Sequence, residues 1–258
     1  MKLFVPLFLA ACFCALPALA DPIYENSVVS NDLDFIRTSD DSVFSCLAYV
    51  GVERAEMPDK RWDGLFDNGA LIFNANYADG TTVGLWAHSD FGTQAAASRA
   101  VTPVAEAIGK LPTFMRATLD HVVIHTGDET AFGEADGHFF VLYADNIATR
   151  LRNNDLEETV FHESVHATLD AAYLRNRDWR AAQRADGGFV TNYAAGRPDK
   201  EDMAESALFA WAVLQHPGRL PASIEAEVRR IMPNRLAFFD DLFSAQPIFY
   251  RVAAEQGC

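Results

Sequence analysis

Cysteine is scarce in this sequence, with four copies among 258 residues. Cys12 and Cys14 fall within the first 20 residues, which leaves Cys46 and Cys258 for the rest of the chain. Two cysteines exclude a scaffold held together by several disulfides, but in an exported protein they indicate one bond. We therefore predict a Cys46–Cys258 disulfide, with two free thiols as the alternative.

Positive charge is also in short supply. The chain has 21 basic and 36 acidic residues, which gives a formal net charge of −15. This balance excludes nucleic acid and anionic membrane surfaces as expected partners, because both repel an acidic protein. It favours solubility and is compatible with cationic substrates.

Long apolar runs are missing after residue 20, so we predict no membrane span. The sequence also lacks internal repeats, low-complexity stretches and long linkers. Hydrophobic residues make up 50% of the chain and charged residues 22%, proportions that indicate a packed domain rather than a disordered chain. We expect a monomer.

The N-terminus has the features of an export signal over residues 1–20. Lys2 is followed by an apolar stretch and by a small-residue cleavage site at residues 18–20. Residues 9–12 resemble a lipoprotein box, but the apolar stretch continues past Cys12 to the better cleavage site, so we favour cleavage over lipidation. The sequence predicts an exported protein, with periplasm and extracellular medium both open.

The remaining chain predicts an α+β fold, with a small mixed β-sheet followed by a mainly helical C-terminal part. Residues 21–65 are predicted to be an N-terminal extension that packs on a main domain over residues 66–258. Whether the extension is a removable pro-region is left open. Asp79 and Gly80 lie between two β-rich runs and predict a hairpin turn. The predicted strands cover residues 71–77, 81–88, 121–126 and 138–143, and the predicted helices cover residues 95–110, 155–174, 179–185, 199–215, 223–231 and 233–243.

The most informative stretch is His162-Glu163-Ser164-Val165-His166, which lies in a segment with helical spacing. His162 and His166 are four residues apart, so they share a helix face and can hold one metal ion. Glu163 is offset by one residue, where its carboxylate can reach a metal-bound water rather than the metal. The pattern predicts zinc-assisted hydrolysis of a peptide bond.

The helix that carries this motif is predicted to be buried. Asp155 and Glu158 fit the N-cap and N3 positions of a capping box, and apolar residues follow on every side. An unpaired buried polar group costs on the order of a few kcal/mol, and a metal ion would supply the histidines with a partner. Two alternatives stay open. One is a zinc-binding domain without hydrolase activity, and the other is a binding protein in which His162 and His166 are core residues.

A catalytic zinc site needs a third protein ligand. Glu201 and Glu205 are four residues apart on a helix that Asp199 and Asp202 can cap, so both carboxylates share one face. We assign the ligand to Glu201, and we expect Glu205 to orient a ligand histidine. The reverse order and a merely solvated acidic first turn are the alternatives.

The other histidines show no ligand spacing. His121 and His125 are four residues apart on a predicted strand, which separates them by about 13 Å and prevents them from sharing one metal ion. We therefore predict structural roles for these two and for His88, His138 and His216.

The motif residues resemble the gluzincin branch of the zincin metallopeptidases. The run from His162 to Asp170 is similar to the thermolysin helix, and Glu201 with Glu205 on the next helix is similar to the lethal-factor pattern. The close resemblance covers residues 155–215. It implies a zincin-like fold, in which a small twisted sheet lies above the motif helix and its edge strand binds an extended peptide substrate.

The resemblance also implies a role for each residue around the Zn²⁺ ion. Glu163 would deprotonate the zinc-bound water and later protonate the leaving amine. Tyr193, eight residues before Glu201, would stabilise the oxyanion. Asp170 would support the site, unless it only pairs with a nearby arginine. Residues 138–143 are the predicted edge strand.

Overall fold

The computed structural model describes residues 21–30 and 33–245. The predicted export signal and the predicted disulfide partner Cys258 lie outside the described residues. Cys46 itself is a disulfide-bonded cysteine. Within the described part of the chain, no helix is both long enough and apolar enough to cross a bilayer.

A six-stranded mixed sheet forms one layer of the molecule, in the order β1-β2-β3-β4-β6-β5. Strands β1 to β3 pair antiparallel, β3, β4 and β6 pair parallel, and β5 returns antiparallel to β6. The sheet agrees with the predicted α+β class. The strands are β1 (Phe44–Glu56), β2 (Phe66–Tyr77), β3 (Thr82–Ala87), β4 (His121–His125), β5 (Phe132–Glu134) and β6 (Phe139–Tyr143).

Helices cover one face of the sheet and make up most of the C-terminal half. They are α1 (Gln94–Ile108), α2 (Thr113–Thr118), α3 (Ala144–Asn153), α4 (Leu156–Thr168), α5 (Arg177–Asp186), α6 (Asn192–Gly196), α7 (Asp202–Gln215), α8 (Ala222–Ile231) and α9 (Pro233–Ala245). Short 3-10 turns occupy Val28–Ser30 and Ser89–Phe91, and a π-helical turn at Asp170–Leu174 follows α4.

Helix α4 lies at the centre of the fold, as the apolar residues on all its sides predict. Every residue of α4 except His166 is buried. The helix packs against α1 and α7 and against strands β5 and β6. Phe161 and Val165 join the main hydrophobic core together with Leu208 and Phe209 of α7. The motif therefore lies on a rigid element that is held from several directions.

The hairpin predicted around Asp79 and Gly80 is confirmed. Strands β2 and β3 pair from Leu71 opposite Ala87 to the turn, where Gly80 adopts a φ of 82°. Strand β1 then pairs with the other side of β2. The boundary predicted after residue 65 therefore does not coincide with a break in the sheet, since β1 belongs to the predicted extension.

The predicted edge strand is wrong. Residues 138–143 form β6, which has β4 on one side and β5 on the other, so it lies inside the sheet. The edge beside α4 is β5, which is not among the strands predicted from the sequence. Three residues containing Gly133 and Glu134 give neither the length nor the apolar alternation that predicts a strand.

The predicted capping box at the start of α4 is also wrong. Asp155 occupies the N-cap position, but its side chain makes no capping hydrogen bond and accepts one from Arg150 at 2.9 Å instead. Glu158 accepts a hydrogen bond from the backbone N–H of Ile36 at 3.0 Å. Both side chains therefore form hydrogen bonds with residues outside the capping box rather than with the first turn of α4.

Helix α7 begins later than predicted. Its first residue is Asp202 and Glu201 occupies the N-cap position, while Asp199 lies in the preceding turn and pairs with Arg180. The Asp202 side chain pairs with the buried Arg235 rather than serving as a cap residue. The spacing of Glu201 and Glu205 is unaffected, because the backbone N–H of Glu205 donates to the carbonyl of Glu201 at 2.9 Å.

Candidate metal centre

Helix α4 and the start of α7 bring three ligand atoms together. His162 Nε2 and His166 Nε2 are 3.2 Å apart. Glu201 Oε2 lies 3.5 Å from the first nitrogen and 3.3 Å from the second. Among the described residues, these three side chains form the one group of three or more His, Cys, Asp or Glu side chains close enough to hold a metal ion.

The spacing of these atoms fits a zinc ion. Bonds of 2.0–2.1 Å in a tetrahedral arrangement place neighbouring ligand atoms about 3.3 Å apart. The measured separations of 3.2, 3.3 and 3.5 Å agree with that edge length. Two imidazole nitrogens and one carboxylate oxygen also form a donor set that zinc accepts, with a fourth position left for a water or a substrate.

Each histidine has a carboxylate behind it. His166 Nδ1 lies 2.7 Å from Asp170 Oδ2, and His162 Nδ1 lies 3.5 Å from Glu205 Oε1. A carboxylate oxygen that accepts from Nδ1 places the hydrogen of a neutral imidazole there and leaves Nε2 to face the other ligands. Asp170 does this for His166, whereas Glu205 makes only a longer charge contact with His162 Nδ1, which has no hydrogen-bond partner among the described residues. Asp170 and Glu205 therefore lie beside the two Nδ1 atoms, on the side of each ring away from the clustered Nε2 atoms.

Glu205 is fully buried and strongly held. Its carboxylate accepts hydrogen bonds from Ser27 Oγ at 2.6 Å, the backbone N–H of Val28 at 2.8 Å and Thr191 Oγ1 at 2.7 Å. Sequence reasoning missed Ser27 and Thr191. No local pattern identifies Ser27. Thr191 could have been recognised as the N-cap residue of α6, because its Oγ1 accepts a hydrogen bond from the backbone N–H of Ala194 at 3.0 Å.

The charges of the ligands are tightly coupled. Burial by itself would lower the pKa of His166, but hydrogen bonds to Asp170 and Glu201 prevail and raise this pKa to about 10. Burial would raise the pKa of Glu201, but His162 and His166 hold it well below its usual range. A metal ion at this position competes with the proton that His166 shares with Glu201, so metal binding is expected to release that proton.

Glu163 and Tyr193 face the same cleft as the three ligands. The cleft has a volume of about 300 Å³ and also includes Lys60, Gly133 and Leu174. Burial and the neighbouring Glu201 carboxylate raise the pKa of Tyr193 to about 12, so its phenol keeps its hydrogen and can donate it in a hydrogen bond. A larger cavity of about 910 Å³, around residues 30–39 and 150–155, contains none of the clustered ligands.

The edge strand β5 forms one wall of this cleft and touches the motif helix. A Cβ atom added at Gly133 would lie 2.5 Å from His166 Cβ and 2.9 Å from the carbonyl oxygen of Glu163. Just before β5, Lys60 Nζ donates to the carbonyls of Thr130 and Ala131 at 3.2 and 3.0 Å. Gly133 is therefore a site residue that sequence reasoning missed, although a glycine in a strand often marks such close backbone approach.

Replacing Gly133 with alanine is expected to move β5 away from α4. The added methyl would clash with the Glu163 carbonyl oxygen and with His166 Cβ, neither of which can move by a side-chain rotation. We therefore expect the free energy of unfolding to fall by about 1–3 kcal/mol. Thermal denaturation of the purified protein, together with zinc titration, measures the effect. Gly196→Ala is the matched control, because a Cβ there meets nothing within 4 Å. Unchanged stability and zinc affinity in Gly133→Ala would contradict the contact.

Two of the other histidines, His121 and His125, lie outside this group of ligands. His121 stacks between Trp86 and Phe139, with ring centroids 3.6 and 4.8 Å away. His125 Nε2 lies 3.0 Å from the carbonyl oxygen of Pro58. Both are buried on β4, and neither belongs to the metal-binding group found in the described part of the chain. These contacts agree with the structural roles predicted for them.

Comparisons with protein-family models, with curated proteins and with solved structures gave no match. The functional argument therefore rests on the geometry of the site itself.

Proposed function

We propose that this protein is an exported zinc metallopeptidase with a zincin-like arrangement of sheet and active-site helix. The observation that carries the proposal is the convergence of His162, His166 and Glu201 at separations of 3.2–3.5 Å, with Glu163 beside them in one cleft. The features of an export signal at residues 1–20 support the export part of the proposal.

The three ligands would hold the zinc ion through two nitrogens and one oxygen. Zinc bound there would act as a Lewis acid, lowering the pKa of water and polarising the substrate carbonyl. Asp170 and Glu205 contribute by fixing the orientation of the two imidazole rings, so that both Nε2 atoms stay directed at one point.

Proton transfer falls to Glu163. In this proposal its carboxylate takes a proton from the attacking water and then delivers it to the nitrogen of the departing amine. Tyr193 donates a hydrogen bond to the oxygen on which negative charge develops. The intact phenol of Tyr193, in the same cleft as Glu163, suits that role.

A polypeptide substrate fits the wall formed by β5. One side of this strand pairs with β6, and the sheet ends on its other side. An extended peptide can pair with such an edge through main-chain hydrogen bonds, which recognise the backbone rather than particular side chains. Because Gly133 brings β5 against α4, a peptide bound along this edge lies close to Glu163 and the ligand histidines.

Removing the metal is expected to abolish cleavage of a diverse peptide library, and adding zinc back is expected to restore it. The purified protein is assayed by mass spectrometry as prepared, after treatment with a chelator, and after zinc is returned, with magnesium as the control ion. Stoichiometric zinc without any cleavage would instead favour a zinc-binding domain that is not an enzyme. Absence of both zinc and cleavage would leave His162 and His166 as core residues.

A further inference from the structure

The segment at residues 21–30 contacts the Glu205 carboxylate, which lies beside the ligand His162. Ser27 Oγ and the backbone N–H of Val28 donate to the two oxygens of Glu205, at 2.6 and 2.8 Å. Glu205 Oε1, the oxygen that accepts from Ser27, is also the one 3.5 Å from His162 Nδ1. Ser27 is therefore hydrogen-bonded to Glu205, and Glu205 in turn makes a charge contact with the first ligand histidine.

The same segment is fastened beside the helix that carries Tyr193. The backbone N–H groups of Ile23 and Tyr24 donate to the carbonyl of Val190 at 3.0 and 3.2 Å, and Asn192 N–H donates to the carbonyl of Tyr24 at 2.8 Å. Between them lies Thr191, which is fully buried and caps α6 while its hydroxyl donates to Glu205 at 2.7 Å. The segment thus contacts both the Glu205 carboxylate and Thr191, the N-cap residue of α6.

We propose that Ser27 and Val28 belong to the metal centre and that Ser27 is a positioning residue for His162, acting through Glu205. The inference rests on the proposed function only in taking His162 as a zinc ligand. Without the Ser27 hydroxyl, the Glu205 carboxylate loses the donor that fixes its Oε1 atom opposite Nδ1. The imidazole then has more rotational freedom, and part of the metal-binding energy is spent on ordering it.

These contacts indicate that residues 21–30 are not a removable pro-region. A pro-segment is removed to open a site, whereas loss of this segment would take two hydrogen-bond donors away from a buried carboxylate. A buried charge left with fewer donors is strongly disfavoured. The segment is therefore expected to stay with the active protein, and cleavage after residue 30 is expected to weaken the centre.

Zinc affinity in matched serine variants tests the proposal. The zinc dissociation constant is measured by competition with a chromophoric chelator, and the thermal midpoint is measured on the zinc-free protein. Ser27→Ala is expected to weaken zinc binding about 10-fold, the low end of the range for residues that support ligands. Ser27→Thr keeps the hydroxyl and is expected to restore most of the affinity. Ser30→Ala, at an exposed position of the same segment, is expected to bind zinc like the unaltered chain.

Wild-type zinc affinity in Ser27→Ala would overturn the proposal. So would an equal loss in Ser27→Ala and Ser27→Thr that follows the thermal midpoint of the zinc-free protein, since that marks a purely structural role. The proposed peptidase activity fails separately. If Ser27→Ala weakens zinc binding but no variant cleaves peptide, the positioning role stands and the peptidase does not. If the unaltered chain binds no zinc, both fail.

Discussion

Replacing Glu163 with glutamine is expected to lower peptide cleavage by about 10²–10⁴-fold, the range for removing a general base, while zinc binding changes little. The amide keeps the size of the side chain but cannot take a proton from water. Zinc affinity should persist, because the three clustered ligand atoms belong to His162, His166 and Glu201. The measurement is the initial rate of cleavage at saturating zinc, with zinc content determined on the same samples.

A matched control lies on the same helix. Glu157 is buried in α4 but pairs with Lys110 at 2.7 Å and does not line the cleft, so Glu157→Gln is expected to retain cleavage at nearly the original rate. Glu163→Gln cleaving as fast as the unaltered chain would disprove the assigned base. Loss of zinc together with activity would mean that Glu163 is a ligand or supports the fold.

The parts of the site that lie on one helix could be predicted from sequence. His162, Glu163 and His166 are related by helical periodicity alone, and the apolar residues around them indicated a buried helix before any tertiary contact was known. The hairpin was predictable for a similar reason, because Asp79 and Gly80 are turn residues between two β-rich runs. In both cases the decisive interactions lie within a few residues of chain.

The parts that depend on distant chain could not be predicted. Ser27 and Glu205 are separated by 178 residues, and nothing in the local sequence of either indicates the other. Strand β5 is three residues long and owes its existence to pairing with β6 and to the absence of a side chain at Gly133. The capping box failed for the same reason, because a distant backbone N–H outcompeted the local one for Glu158.

Glu201 and Glu205 have the same sequence spacing, but their surroundings in the fold differ. Glu201 Oε2 faces both Nε2 atoms, at 3.3 and 3.5 Å. Glu205 faces the opposite side of His162, and its carboxylate already accepts three hydrogen bonds from protein groups. For Glu205 to become the ligand, those bonds would have to break inside the core, at a cost on the order of 1–3 kcal/mol for each group left unpaired.

The two glutamates are therefore expected to give unequal losses of zinc affinity. Glu201→Gln removes a direct charged ligand and should weaken zinc binding by more than about 100-fold, whereas Glu205→Gln should weaken it by about 10–100-fold, as for a residue that orients a ligand. Competition with a chelator measures both variants under identical conditions. The opposite order would make Glu205 the ligand and would require α7 to shift. Equal, small losses would mean that neither carboxylate helps to hold a metal and would favour the alternative in which both belong only to an acidic first turn of a helix.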